Sequence, residues 1–230
     1  IGLVWNPLPS LLSLPLLLLY PLFPSLASSG MFIVILTALF AGLTLLMVWE
    51  AFRQFSVRTG AAAVCLGLFF ALHPFQLWYG ANGMSEAIFG CFLAIAVVYW
   101  TRWLKTEAVK HMLVASIALG LAFLTRYEAV PFAAFLIIGT FVVLWNRRAP
   151  WRKLESTAVI FALPIAFAGC VWIWLNYTIM DDPLYFLTSS YSNHGQSELL
   201  ADNAMISGII GNSLGSFLYM LQRTGVFLIP

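Results

Sequence analysis

MFIVILTALFAGLTLLMVWEAF, residues 31–52, carries one charged residue, Glu50, and otherwise offers a continuous apolar surface. A helix rises about 1.5 Å per residue, so about 20 such residues cross the roughly 30 Å hydrocarbon core of a bilayer. The run therefore reads as a transmembrane helix. Five more stretches have the same character, at about 61–79, 86–104, 109–126, 129–146 and 157–176. Across all 230 residues, 62% are hydrophobic and 9% charged, with mean hydropathy +0.93. A soluble domain carries about a quarter charged residues. The expected fold class is all-α, a polytopic transmembrane bundle with six spans. A net charge of +2 gives no reason to expect a nucleic-acid partner. Cys65, Cys91 and Cys170 lie in apolar runs without metal-ligand spacing and read as small core residues.

The loops between the spans alternate in charge. One set holds Arg53, Arg58, Arg102, Lys105, Lys110, Arg147, Arg148, Arg152 and Lys153, nine of the eleven basic residues. That set is cytoplasmic by the positive-inside rule. The other set holds Glu86, Glu128, Asp181, Asp182, Glu198 and Asp202, six of the nine acids, and is expected on the extracytoplasmic side. Residues 1–30, interrupted by Pro9, Pro15 and Pro21, read as an outer interfacial segment. Residues 31–176 hold the six spans, and 177–203 an outer loop. Residues 204–222 read as an interfacial helix or a span, and 223–230 as the start of a further helix. The chain begins at Ile1 without a basic leader and stops in an apolar run, which reads as a single-domain fragment cut at both ends.

Three polar stretches share the acidic side. In His73-Pro74-Phe75-Gln76-Leu77-Trp78-Tyr79-Gly80-Ala81-Asn82-Gly83-Met84-Ser85-Glu86, one helix ends and the next begins with a carboxylate. Ser85 or Asn82 can cap that helix, with Glu86 in its first turn favoured by the macrodipole. Alternatively, Glu86 with Trp78, Tyr79 and Asn82 lines a polar cavity suited to a sugar. In Leu124-Thr125-Arg126-Tyr127-Glu128, Arg126 runs against the positive-inside bias. Either it forms a structural ion pair with Glu128 or Glu86, or its planar fork clamps a phosphate. In Asn176 to Phe186, Asp181-Asp182-Pro183 reads first as a turn, because a residue before proline is restricted to extended geometry. His194, further on, is a metal ligand or a solvated loop histidine.

Together, the Pro-rich entry, the Trp-Tyr-Gly-Ala-Asn-Gly-Met-Ser-Glu turn and the Leu-Thr-Arg-Tyr-Glu-Ala apex resemble the GT-C superfamily of integral-membrane glycosyltransferases. The resemblance extends to the branch with bacterial protein O-mannosyltransferases and the lipid A aminoarabinose transferase, and it covers about Asn6 to Asp202. It implies transfer of a sugar from a polyprenyl-phosphate donor to an extracytoplasmic lipid, glycan or protein, with inversion, in a bacterial plasma membrane. It implies a catalytic role for Glu86 as the second acid of such enzymes, the principal acid being expected upstream of Ile1. It gives Arg126 a place beside the lipid phosphate, and matches Tyr127, Glu128 and the Asp182 turn to the bacterial branch. His194, Trp78, Tyr79 and Asn82 complete the candidate substrate-binding set. No motif demands a cofactor, although a divalent metal stays possible; membrane lipids and the sugar donor are the expected partners. The alternatives are a transporter and a non-catalytic assembly subunit. Against a transporter, the span interiors lack Asp, Glu, Lys or Arg well away from their ends.

Overall fold

The computed structural model describes residues 6–55, 60–190, 192 and 212–228. All regular structure among them is helical: α1 (Leu8–Leu17), α2 (Pro24–Ser28), α3 (Met31–Gln54), α4 (Gly60–Leu72), α5 (Pro74–Ala81), α6 (Glu86–Thr106), α7 (Val109–Phe123), α8 (Ala129–Asn146), α9 (Trp151–Met180), α10 (Tyr185–Thr188) and α11 (Ser213–Leu228). The chain divides into two compact units, with the boundary between Trp172 and Ile173, inside α9. This is an integral membrane protein built as a helical bundle.

The six expected spans take three forms. Helices α3, α6, α8 and α9, of 24, 21, 18 and 30 residues, are long and apolar enough to cross a bilayer. The stretch 61–79 is two helices, α4 and α5, bent by 52° where Pro74 removes a backbone donor and forces His73 into extended geometry. The stretch 109–126, expected as a span, is the third case and falls short of one, so the described residues hold four candidate spans, or five with the bent pair. Its helix α7 ends at Phe123 after 15 residues, about 22 Å, because the polar run from Thr125 to Glu128 turns away. α9 spans its full length with Pro164 inside it.

Within the unit Asn6–Trp172, α6 is the central element and packs on both α3 and α7. Small residues are buried on both helices, Ala96 on α6 and Ala115, Ala118 and Ala122 on α7, all at most 3% exposed. Between helices in lipid there is no hydrophobic force to exploit, so close approach of small side chains and interhelical hydrogen bonds do the holding. Gly120 is such a place: a Cβ there would lie 3.0 Å from the Pro164 carbonyl oxygen of α9. Trp100 Nε1 donates to Thr140 Oγ1 at 2.8 Å, joining α6 to α8. Outward faces are apolar instead of polar, with Leu39, Phe135, Ile138, Leu163 and Phe167 exposed. The cysteines follow this division. Only Cys91 is in the core, whereas Cys65 and Cys170 are exposed, because a span of this kind has more lipid-facing surface than core.

Before α1, the Asn6 side chain is buried and its amide donates to the Phe123 carbonyl; Leu8 N–H donates to Leu124 O at 3.0 Å. The start of the Pro-rich segment thus satisfies carbonyls that α7 leaves unpaired at its C-terminus. In the other unit, α10 follows the Asp-Asp-Pro turn, with Asp181 at φ +55°.

Candidate functional site

Alternation of the helices puts the starts of α3, α6 and α8 at one end of the bundle with the last turn of α7. Two stretches 40 residues apart in sequence meet there. Arg126 Nη1 donates to Glu86 Oε1 at 2.7 Å and lies 3.4 Å from Ser85 Oγ. The other edge of the same guanidinium faces Glu128: Nη2 is 2.8 Å from Oε1, and Nε is 3.3 Å from each oxygen. One cation is therefore shared by two carboxylates of unlike exposure, Glu86 at 23% and Glu128 at 57%. The Glu128 carboxyl, hydrogen-bonded by Arg126, is held below the usual carboxylate range. Arg126 is raised in turn, chiefly by that same bond.

Neither expected cap caps α6. Ser85 is the N-cap residue with helical backbone angles and makes no side-chain cap bond. Asn82 Oδ1 instead accepts from Met84 N–H at 2.9 Å, closing the turn in which Gly83 sits at φ +75°. That positive φ favours glycine, and a Cβ there would lie 2.9 Å from Ile33 Cγ2. Glu86 occupies the first turn of α6, and its second oxygen, Oε2, is buried with no hydrogen-bond partner. Asn82 Nδ2 and Asn6 Oδ1 are buried and unpartnered as well. Such atoms cost desolvation energy, and their accumulation at one end needs a reason.

Tyr127 points the other way along the apex, where its hydroxyl accepts from Trp172 Nε1 of α9 at 3.0 Å. Burial pushes its phenol up to about 12 despite that bond. Trp78 and Tyr79 are not hydrogen-bonded to Glu86: Trp78 is 68% exposed, and Tyr79 stacks on Phe75 at 5.6 Å, which stacks on His73 at 5.9 Å. Asp182 belongs to the second unit. Its Oδ1 accepts from Leu184 N–H at 2.9 Å and its Oδ2 from Thr188 Oγ1 at 2.7 Å, the geometry of a turn that starts α10. His194 lies outside the described residues. Among the described residues no group of three or more His, Cys, Asp or Glu is arranged to hold a metal ion.

Sequence reasoning missed three contributors: Ser85 beside the guanidinium, Trp172 behind Tyr127, and Asn6. Trp172 gives no signal, being one aromatic in an apolar helix. Asn6 does give one, since Asn-Pro before an apolar run is a turn signature.

The family model for dolichyl-phosphate-mannose-protein mannosyltransferase matches residues 15–174, a range that includes Glu86, Arg126, Tyr127, Glu128 and Trp172. No curated protein and no solved structure matches the chain.

Proposed function

The chain belongs to the dolichyl-phosphate-mannose-protein mannosyltransferase family, and we propose that it moves a sugar from a polyprenyl-phosphate carrier to an acceptor hydroxyl at the acidic end of the bundle. The sorting of basic loops supports an extracytoplasmic position for that end, and the resemblance to the bacterial branch supports a bacterial plasma membrane. Family membership favours transfer over transport.

The observation that carries the mechanism is the division of Arg126 between a half-buried and an exposed carboxylate. Glu86 fixes one edge of the guanidinium. Glu128 occupies the fork of Nε and Nη2, whose geometry equally fits two phosphate oxygens. The carrier phosphate takes that fork and Glu128, exposed, swings into water. The acceptor oxygen then attacks the anomeric carbon from the face opposite the phosphate, and the bond from that carbon to the phosphate oxygen breaks. Inversion follows. The carrier leaves as polyprenyl phosphate, its new charge stabilised by Arg126. The hydroxyl proton passes to a carboxylate, and the absence of a competing donor at Glu86 Oε2 supports Glu86 in that role.

Arg126→Lys tests the clamp, because lysine keeps the charge and loses the fork. Transfer from dolichyl-phosphate mannose by the complete protein should fall about a hundredfold to a thousandfold in turnover, with the folded fraction measured alongside. Normal turnover in Arg126→Lys and Arg126→Ala would show that the phosphate is held elsewhere.

A further inference from the structure

In the middle of the bundle the structure carries a feature that transfer does not use. Helices α3 and α8 stand apart over one face of α6, leaving an apolar groove of about 300 Å³. Its lining includes Val48 and Ala51 of α3, Ala94, Val97 and Val98 of α6, and Phe132 of α8, with no polar atom exposed in it.

Helical spacing continues both walls toward the basic end. On α3, Phe55 lies four residues beyond Ala51; on α6, Thr101 and Lys105 follow Val97 at intervals of four, so they extend the same stripe. There the walls close. Thr101 Oγ1 donates to Gln54 Oε1 at 3.2 Å, and Gln54 Nε2 donates to Val98 O at 3.4 Å. The Lys105 ammonium sits 4.7 Å from the Phe55 ring centroid and donates to the Gln54 carbonyl. Lys105 is exposed and, among the described residues, has no carboxylate partner. The acid nearby, Glu50, is committed to Arg53 and Arg102. An apolar slot followed, two turns along α6, by an ammonium with no carboxylate partner among the described residues matches a molecule with a hydrocarbon tail and an anionic head.

We infer that this groove is a binding site for an anionic glycerophospholipid, with an acyl chain between α3 and α8 and its phosphate on Lys105. The basic end faces the cytoplasmic leaflet, where anionic lipids are concentrated. The sugar carrier is a different lipid at a different place, because its phosphate is assigned to Arg126 at the other end. The site therefore stands or falls independently of the transfer reaction.

Titration of the complete protein in neutral detergent with dioleoyl phosphatidylglycerol or dioleoyl phosphatidylcholine, read by native mass spectrometry, tests it. The wild type should bind the anionic lipid about fivefold more tightly, the size expected for one basic residue at a membrane surface. Lys105→Gln should make the two lipids equal, and Lys105→Arg should keep the preference. Ala94→Phe, filling the groove, should weaken both; Ala94→Leu serves if the larger residue lowers the melting temperature. Equal binding by the wild type would overturn the assignment, as would a preference that survives Lys105→Gln. Unaltered binding in both groove variants, or displacement of phosphatidylglycerol by equimolar dolichyl phosphate, would also overturn it.

Discussion

The two ends of the bundle solve the same electrostatic problem with opposite stoichiometry. At the acidic end one cation, Arg126, is shared by Glu86 and Glu128. At the basic end two acids are each shared by two cations: Glu50 by Arg53 and Arg102, and Glu107 by Arg147 and Lys153. The basic arrangement is closed. Arg147 also donates to the Leu104 carbonyl at 2.7 Å, so the loop after α6 is tied to the loop after α8 with both Glu107 oxygens in use. The acidic arrangement leaves a carboxylate oxygen over, and buries it. A bridge that only holds helices together has no need of a spare oxygen. On the proposed reading, that difference separates a site from a fastening.

That comparison breaks most visibly if the two kinds of acid prove interchangeable. Glu86→Gln should lower turnover about a hundredfold or more, the usual weight of a positioned proton acceptor, while the melting temperature changes little. Glu107→Gln should leave turnover intact. Equal turnover losses in the two variants, measured with dolichyl-phosphate mannose, would mean that the acidic cluster is a fastening too.

A smaller effect compares one tie at each end. Trp172→Phe removes the hydrogen bond to the half-buried Tyr127 hydroxyl and should cost about 1 kcal/mol. Lys153→Ala removes an exposed ion pair and should cost roughly half a kcal/mol or less. Denaturation in detergent distinguishes them; the reverse order would show that burial is not what sets the strength of these ties.

The smallest effect is in pH. Tyr127 has an ordinary pKa near 10 when unfolded and about 12 in the folded protein, so the folded state holds its proton more tightly. Its contribution is fully present below pH about 10 and is lost as pH rises through about 12. Glu107 runs the other way. Its carboxyl is held low, first by Lys153 and then by Arg147, so its contribution is present above the ordinary carboxylate pKa and is lost as pH falls through the lowered value. Tyr127→Phe should flatten the alkaline limb of thermal stability against pH and leave the acid limb alone. An alkaline limb unchanged by that substitution would locate its origin in another group.

Much of this division was legible in the sequence. Alternating loop charge alone predicted that Glu86 and Arg126, 40 residues apart, share an end, because every span reverses direction. Residue-type chemistry suggested their pairing but left Glu86 and Glu128 as alternative partners; the guanidinium has two usable edges and takes both. The cap expected for α6 failed because Asn82 is spent on its own turn and Ser85 adopts helical angles. Apolar content could not show the bend at His73 or the early end of α7, since hydropathy counts residues along a line and is blind to direction. Nor could it find Trp172, whose partner is set by how two helices cross. The aromatic group Trp78 and Tyr79 looked like a wall for Glu86 by proximity in sequence, yet Tyr79 belongs to a separate stack with Phe75 and His73.

The early end of α7 has a consequence for depth. Lys110 and His111 anchor its first turn at the basic interface, and its 15 residues then rise only about 22 Å through a hydrocarbon layer of about 30 Å. With that first turn at the basic interface, a shortfall of about 8 Å falls at the end where Arg126 stands. On the proposed transfer reading, that shortfall lets the guanidinium meet a lipid-linked phosphate below the headgroup level, so a carrier with a very long tail reacts without being lifted toward the water.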